Sequence, residues 1–137
     1  MAAQRAQCIF CKVVDGLEKS DMLLQNDNIC VFRDIRPSAK NHLLAVPREH
    51  YKDAKSLQSD QKQLVQDMMA AANEALTALG DDLSDVQYGF HWPPFHSVAH
   101  LHLHAISPAS QMSFISRMIF RPNSYWFVSP DYVLSQL

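Results

Sequence analysis

The sequence predicts an α+β fold: one antiparallel sheet of about five strands, one long helix packed on it, and short helices near the termini. Apolar runs of strand length recur between turn-forming residues. Only residues 59–79 show helical periodicity over several turns. The order of these segments reads as a compact meander with no internal repeat, low-complexity tract or linker. A single domain over residues 1–137 is expected, with 1–6 as a flexible extension.

Taken in order, residues 9–14 form a short apolar stretch that suits the helical turn opening the fold. Residues 22–25 and 29–33 bracket Asn26-Asp27-Asn28, a turn-rich triplet, and read as a hairpin. Pro37 interrupts the chain, and residues 42–46 form a third strand ending at Pro47. In the long helix, Leu64, Val65, Met68, Ala72, Leu76 and Leu79 follow a 3.6-residue period. Ser59 is its expected N-cap, and Gly80 stops it. Residues 86–91 and 100–106 are the last two strands, joined through Pro93-Pro94. Tyr125-Trp126-Phe127 suits a strand capping the core, with a partner surface as the other reading. Ser129-Pro130-Asp131 combines an N-cap with proline at the first helical position, so the chain closes on a short helix.

Composition excludes several classes of function. Hydrophobic residues make up 47% and charged residues 19%, as in ordinary globular proteins, and no apolar run reaches the length of a membrane span. The net charge of −2 implies no general affinity for nucleic acid. The first residues lack a secretory apolar core, and three cysteines argue against a disulfide framework. A cytosolic protein, with nuclear presence also allowed, is the expectation.

The chemistry concentrates in His100-Leu101-His102-Leu103-His104. On a strand, positions i, i+2 and i+4 share a face, which would line up three imidazoles about 7 Å apart. Such a row suggests a histidine nucleophile flanked by donors, or a metal site. His102, at the centre, is the natural nucleophile; His104 and Ser97 could donate to a phosphoryl group, and His42 could orient the row. No acidic residue lies close enough in sequence to complete a metal site, so the nucleophile reading leads.

Cys8-Ile9-Phe10-Cys11 is half of a zinc site, which His50 and His100 could complete. Two apolar fillers on a helical turn is the plain alternative. Asp34, at the end of a strand, could accept hydrogen bonds from ribose hydroxyls with Phe32 and Ile35 around a base, or simply cap its turn. Met68-Met69 suits core or an oligomer contact, and Arg36, Lys40, Arg117 and Arg121 read as solvated surface.

His100 to Ile106 matches the H-φ-H-φ-H-φ-φ signature (φ apolar) of the histidine triad (HIT) superfamily, and the chain resembles that family over nearly its whole length. The Cys8 to Lys12 opening, the Phe32 to Pro37 turn and the His42 to His50 strand stand in the family's order. Gly89 to Ser97 and Asn123 to Phe127 are most similar to the third branch of the histidine triad nucleotide-binding proteins. The resemblance implies a HIT-like fold and a purine nucleoside phosphoramidase. His102 would attack the α-phosphorus of an adenosine 5′-phosphoramidate and form a nucleotidyl-histidine that water hydrolyses. His100 would hold the tautomer, His104 and Ser97 would contact phosphate and leaving group, and His42 would buttress the row. Asp34 would bind ribose, with Phe10, Val13, Phe32, Ile35 and Leu103 around the nucleotide. Catalysis would need no cofactor, while relatives with a structural zinc point to Cys8, Cys11, His50 and His100. A homodimer or larger homo-oligomer, joined through the long helix and edge strands, is also implied. Two departures bear on leaving-group preference: Phe95-His96 stands where many members carry Gly-Gln, and Gly89 where the commonest carry Asn. The same region resembles the catalytic domain of aprataxin, making removal of adenylate from nucleic-acid ends one alternative; a nucleotide-binding interaction module with vestigial activity is the other.

Overall fold

A computed structural model of the protein describes residues 7–96 and 98–137. The sequence elements appear largely where expected. Helix α1 (Ile9–Val14) opens the described chain and is followed by strands β1 (Met22–Gln25), β2 (Ile29–Arg33) and β3 (Asn41–Pro47). Helix α2 (Lys62–Ala78), β4 (Gln87–His91), β5 (Leu103–Ser107), α3 (Phe114–Ile119), β6 (Phe127–Val128) and α4 (Pro130–Gln136) complete it. The sheet has six strands in the order β1-β2-β3-β5-β4-β6, every neighbouring pair antiparallel.

Alternation along the central strands explains the layering. Ile29, Val31, Leu43, Ala45, Leu103 and Ala105 face one side and pack with Val65, Met68, Ala72 and Leu76 of α2. Cys30, Phe32, Leu44 and Val46 face the other side, where Val13 and Val14 at the end of α1 cover them. His42 and His104 lie on this second side. Because β3 is covered on both faces, all seven of its residues are buried.

Four points refine the expectations. The sheet of about five strands has a sixth, because Phe127–Val128 pairs with the edge of β4. The aromatic segment is displaced accordingly: Tyr125 is 89% exposed, and Phe127 enters the core. The long helix begins at Lys62, not Ser59, after a 3₁₀ turn over Ser59–Gln61. There Gln61 Oε1 accepts the Gln58 N–H at 2.8 Å, so the side chain reaching back is Gln61. Gly80 ends the helix as expected, at φ +88° where a Cβ would be strained.

The fourth point concerns the histidine row. Strand β5 begins at Leu103, so residues 100–102 precede the ladder. Strand β3 ends at Pro47, and Leu101 N–H turns away to Tyr51 O at 2.6 Å. The three imidazoles are therefore not one evenly spaced row.

Candidate active site

The departure from strand geometry divides the histidines into two adjoining clusters. His102 and His104 rings lie 5.0 Å apart, centroid to centroid. His100 points instead to Cys8, Cys11 and His50, with its ring 5.0 Å from that of His50.

Hydrogen-bond chemistry sets the tautomers. Ser38 N–H can only donate, so His42 Nδ1 accepts it at 3.0 Å and the proton of neutral His42 sits on Nε2. That Nε2–H donates to His104 Nδ1 at 2.9 Å. His104 therefore carries its proton on Nε2, which is buried with no hydrogen-bond partner. His102 Nδ1 lies 2.7 Å from the backbone carbonyl of His100, which can only accept. The His102 proton is thus on Nδ1, and Nε2 is left as a lone pair. Cross-strand register produces the His42–His104 contact: Leu44 pairs with His104, so His42, two residues earlier, is its diagonal neighbour. The part of His100 that reaches His102 is its backbone carbonyl, while its ring faces the cysteines.

Electrostatics reinforce this arrangement. Phe120 packs 5.0 Å from His104 and 5.3 Å from His42, centroid to centroid, and excludes water. Burial lowers the His102 pKa to about 4, only partly opposed by its bond to the His100 carbonyl. Burial also pushes His104 well below the usual histidine value, helped by His102, His42 and His91. His42 is lowered chiefly by burial, against the pull of Asp34. The cluster is neutral at pH 7, the form in which imidazole is a nucleophile.

His102 and His104 stand at the end of a cleft of about 430 Å³. Phe10, Val13, Phe32, Asp34 and Ile35 line it, as expected of a base and ribose pocket, and so does Leu44. Phe10 stacks edge-on to Phe32 at 5.6 Å and to His102 at 5.0 Å. Asp34 does two things: Oδ1 accepts Arg36 N–H at 2.9 Å, the plain turn-capping role, while Oδ2 lies 3.4 Å from His42 Nε2. Leu103 is not in the cleft. It is fully buried on the helix side of the sheet, as alternation with His104 requires, so its expected nucleotide contact is corrected. Ser97 lies outside the described residues. A larger groove, about 650 Å³, is bordered by Trp92, Trp126 and Tyr132 but contains no histidine.

His91 was not singled out from sequence. Its ring is 5.0 Å from His104, its Nε2 donates to Ile119 O at 3.1 Å, and burial lowers its pKa. The signal that could have found it is the β4–β5 pairing, which sets Gly89 opposite His104. Gly89 itself has a steric cause: a Cβ there would lie 2.3 Å from the Phe127 ring. An asparagine at this position would collide with the strand that closes the sheet.

In the second cluster, Cys8 Sγ and Cys11 Sγ each lie 3.3 Å from His100 Nδ1, and Cys11 Sγ lies 3.2 Å from His50 Nδ1. All four ligand atoms are within 4.8 Å of one another. A tetrahedral zinc puts sulfur and nitrogen ligands about 3.5 Å apart, so the residues fit that ion. His100 Nε2 donates to Pro47 O at 3.0 Å, which puts the ring's lone pair on Nδ1, the atom facing the two sulfurs. Cys11 N–H donates to Cys8 Sγ at 3.3 Å.

A neutral buried imidazole and an N–H donor at the end of a nucleotide-sized cleft make up the kind of site that transfers phosphoryl groups through histidine. Comparison with known proteins agrees. Residues 7–119 match the family model described as "Scavenger mRNA decapping enzyme C-term binding". The chain belongs to that family, within the histidine triad superfamily. It is 44% identical to the adenosine 5′-monophosphoramidase HINT3 of Xenopus tropicalis, over 95% of this chain and 86% of that one. The protein of the same name from Mus musculus is 41% identical, over 96% and 82%. Among solved structures, a HIT family hydrolase from Legionella pneumophila superposes with a TM-score of 0.70 at 29% identity, covering 74% of this chain and 92% of its own. Aprataxin of Ciona intestinalis is more distant, at 26% identity over 81% of this chain and 28% of its own.

Proposed function

We propose that this protein is an adenosine 5′-monophosphoramidase acting through a nucleotidyl-histidine. The observation that carries the reading is the pair of oppositely assigned tautomers. His102 offers a lone pair on Nε2 and His104 a proton on Nε2, on one side of one cleft. Base and ribose occupy the pocket formed by Phe10, Val13, Phe32 and Ile35, with Asp34 accepting from the ribose hydroxyls. The α-phosphate then rests between His102 and His104. His102 Nε2 attacks phosphorus, the P–N bond breaks, and His104 Nε2–H stabilises the charge on the phosphoryl oxygens. As the new P–N bond forms, positive charge on His102 is held through Nδ1–H by the His100 carbonyl. Water then opens the adduct to AMP. Ser97 serves as a further donor to phosphate or leaving group.

A structural zinc at Cys8, Cys11, His50 and His100 completes this reading. Bound there, it would supply no catalytic step and would tie α1 to the segment whose His100 carbonyl orients His102. The family resemblance supports a homo-oligomer, and buried cysteines that form no disulfide among the described residues, Cys8, Cys11 and Cys30, support a reducing compartment, cytosolic or nuclear. Among the described residues no helix is long and apolar enough to cross a membrane.

The test is hydrolysis of a fluorescent adenosine 5′-phosphoramidate beside a 5′-adenylated DNA end, by wild type and His102→Ala. Amidate turnover that vanishes in His102→Ala is expected. Activity confined to the adenylated DNA end would overturn the reading in favour of the aprataxin-like alternative.

A further inference from the structure

A second, smaller cleft adjoins the nucleotide pocket at His102. His102 and Val98 line both, so the two spaces meet across the His102 ring. The nucleoside fills the first. The second, with room for about one water at ≈ 10 Å³, is bordered by Asp53, His91 and His96. Neither ring nitrogen of His96 has a hydrogen-bond partner, although both are shielded from solvent. Its Nε2 is 3.9 Å from Asp53 Oδ2, too far for a direct hydrogen bond and close enough for an ion pair or a shared water. Asp53 is itself held: Oδ1 accepts Ser56 N–H at 2.9 Å, which leaves Oδ2 directed at His96. A half-buried imidazole whose two nitrogens are shielded and without a hydrogen bond, with a fixed carboxylate behind it and the nucleophile lining the same cleft, is poorly explained as packing. Nothing in the mechanism above uses it.

We propose that His96, backed by Asp53, is the proton donor to the departing amine and then the base for the hydrolytic water. This rests on the phosphoramidase reading. In the first step His102 Nε2 bonds to phosphorus, the P–N bond to the amine breaks, and the amine nitrogen takes a proton from the His96 imidazolium. In the second, water attacks phosphorus and gives its proton to neutral His96, and the bond to His102 breaks with its electron pair returning to Nε2. The sum is amidate plus water to AMP plus amine, with His96 restored. Asp53 is the positioning residue, stabilising the imidazolium and aiming its ring.

The test compares two leaving groups on one nucleotide: an alkylamine, which must be protonated to depart, and p-nitrophenolate, which need not be. His96→Gln is expected to lose about 10²–10⁴-fold in kcat/KM on the alkylamidate and under about tenfold on the nitrophenyl ester. Ester turnover also reports that the variant is folded. Asp53→Asn keeps the Oδ1 acceptor for Ser56 and is expected to lose kcat on the alkylamidate with KM little changed. Equal losses of kcat/KM on both substrates, or none on the alkylamidate, would overturn the proton role and leave the phosphoramidase reading intact. A wild type inactive on both amidate and ester would overturn that reading, and this one with it. A series of amines of graded basicity on wild type gives the same answer without a variant: a shallow dependence supports the acid, and a steep one refutes it.

Discussion

The low pKa of His102 has a consequence measurable without substitution. An ordinary histidine near 6.5 is about 3% neutral at pH 5, whereas one near 4 is about 90% neutral, a difference of about 30-fold in competent nucleophile. The account therefore predicts that kcat/KM for an adenosine phosphoramidate stays nearly flat from pH 7 to 5 on the His102 limb and falls only toward 4. The assay is initial rate against pH with a fluorescent leaving group, corrected for the acid hydrolysis of P–N bonds seen without enzyme. Circular dichroism at each pH separates loss of activity from loss of structure. Such a control matters because His102 is depressed only in the folded state. The unfolded chain binds more protons between pH 6.5 and 4, so native stability decreases as pH falls through that window. At about 1.4 kcal/mol per pH unit the loss attributable to His102 approaches about 3 kcal/mol by pH 4. An acid limb centred at 6 to 6.5 in a protein still folded would refute the claim that burial, set by Phe10 and the neighbouring imidazoles, keeps His102 neutral.

Gly89→Ala is expected to destabilise by about 1–3 kcal/mol and to lower Tm, because its Cβ falls 2.3 Å from Phe127; an unchanged Tm would mean that β6 yields freely. Asp34→Ala should raise KM for the nucleotide and cost the Arg36 N–H its acceptor, with a smaller effect on kcat; an unchanged KM would restrict Asp34 to capping its turn. Elemental analysis should find one zinc per chain, and chelation or Cys11→Ser should lower Tm by several degrees; a protein that purifies without metal and keeps its Tm under chelator would refute the zinc assignment.

Local patterning made much of this molecule legible. The alternation in residues 29–33 and 42–46, the 3.6-residue period of α2 and the Ser129-Pro130 cap depend on neighbours in sequence, and those elements are present, with only the start of α2 displaced by three residues. What failed depends on partners. Strand β5 starts three residues later than its apolar alternation suggests, because Leu101 N–H turns to Tyr51 O instead of joining the ladder with β3. Leu103 lies within the motif, but alternation with His104 directs it to the opposite face, away from the nucleotide. The roles of His91 and His96 arise from which strand lies beside β5 and where the following loop returns, neither of which is written in local sequence. His100 belonged to both candidate sites, and its ring and its carbonyl divide the two tasks.

The most direct test of the account is to trap the covalent intermediate. Wild type mixed with an adenosine phosphoramidate and quenched within one turnover should carry an adenylyl group, located on His102 by peptide mass spectrometry and absent from His102→Ala. An adduct on another residue, or turnover that persists in His102→Ala, would contradict it.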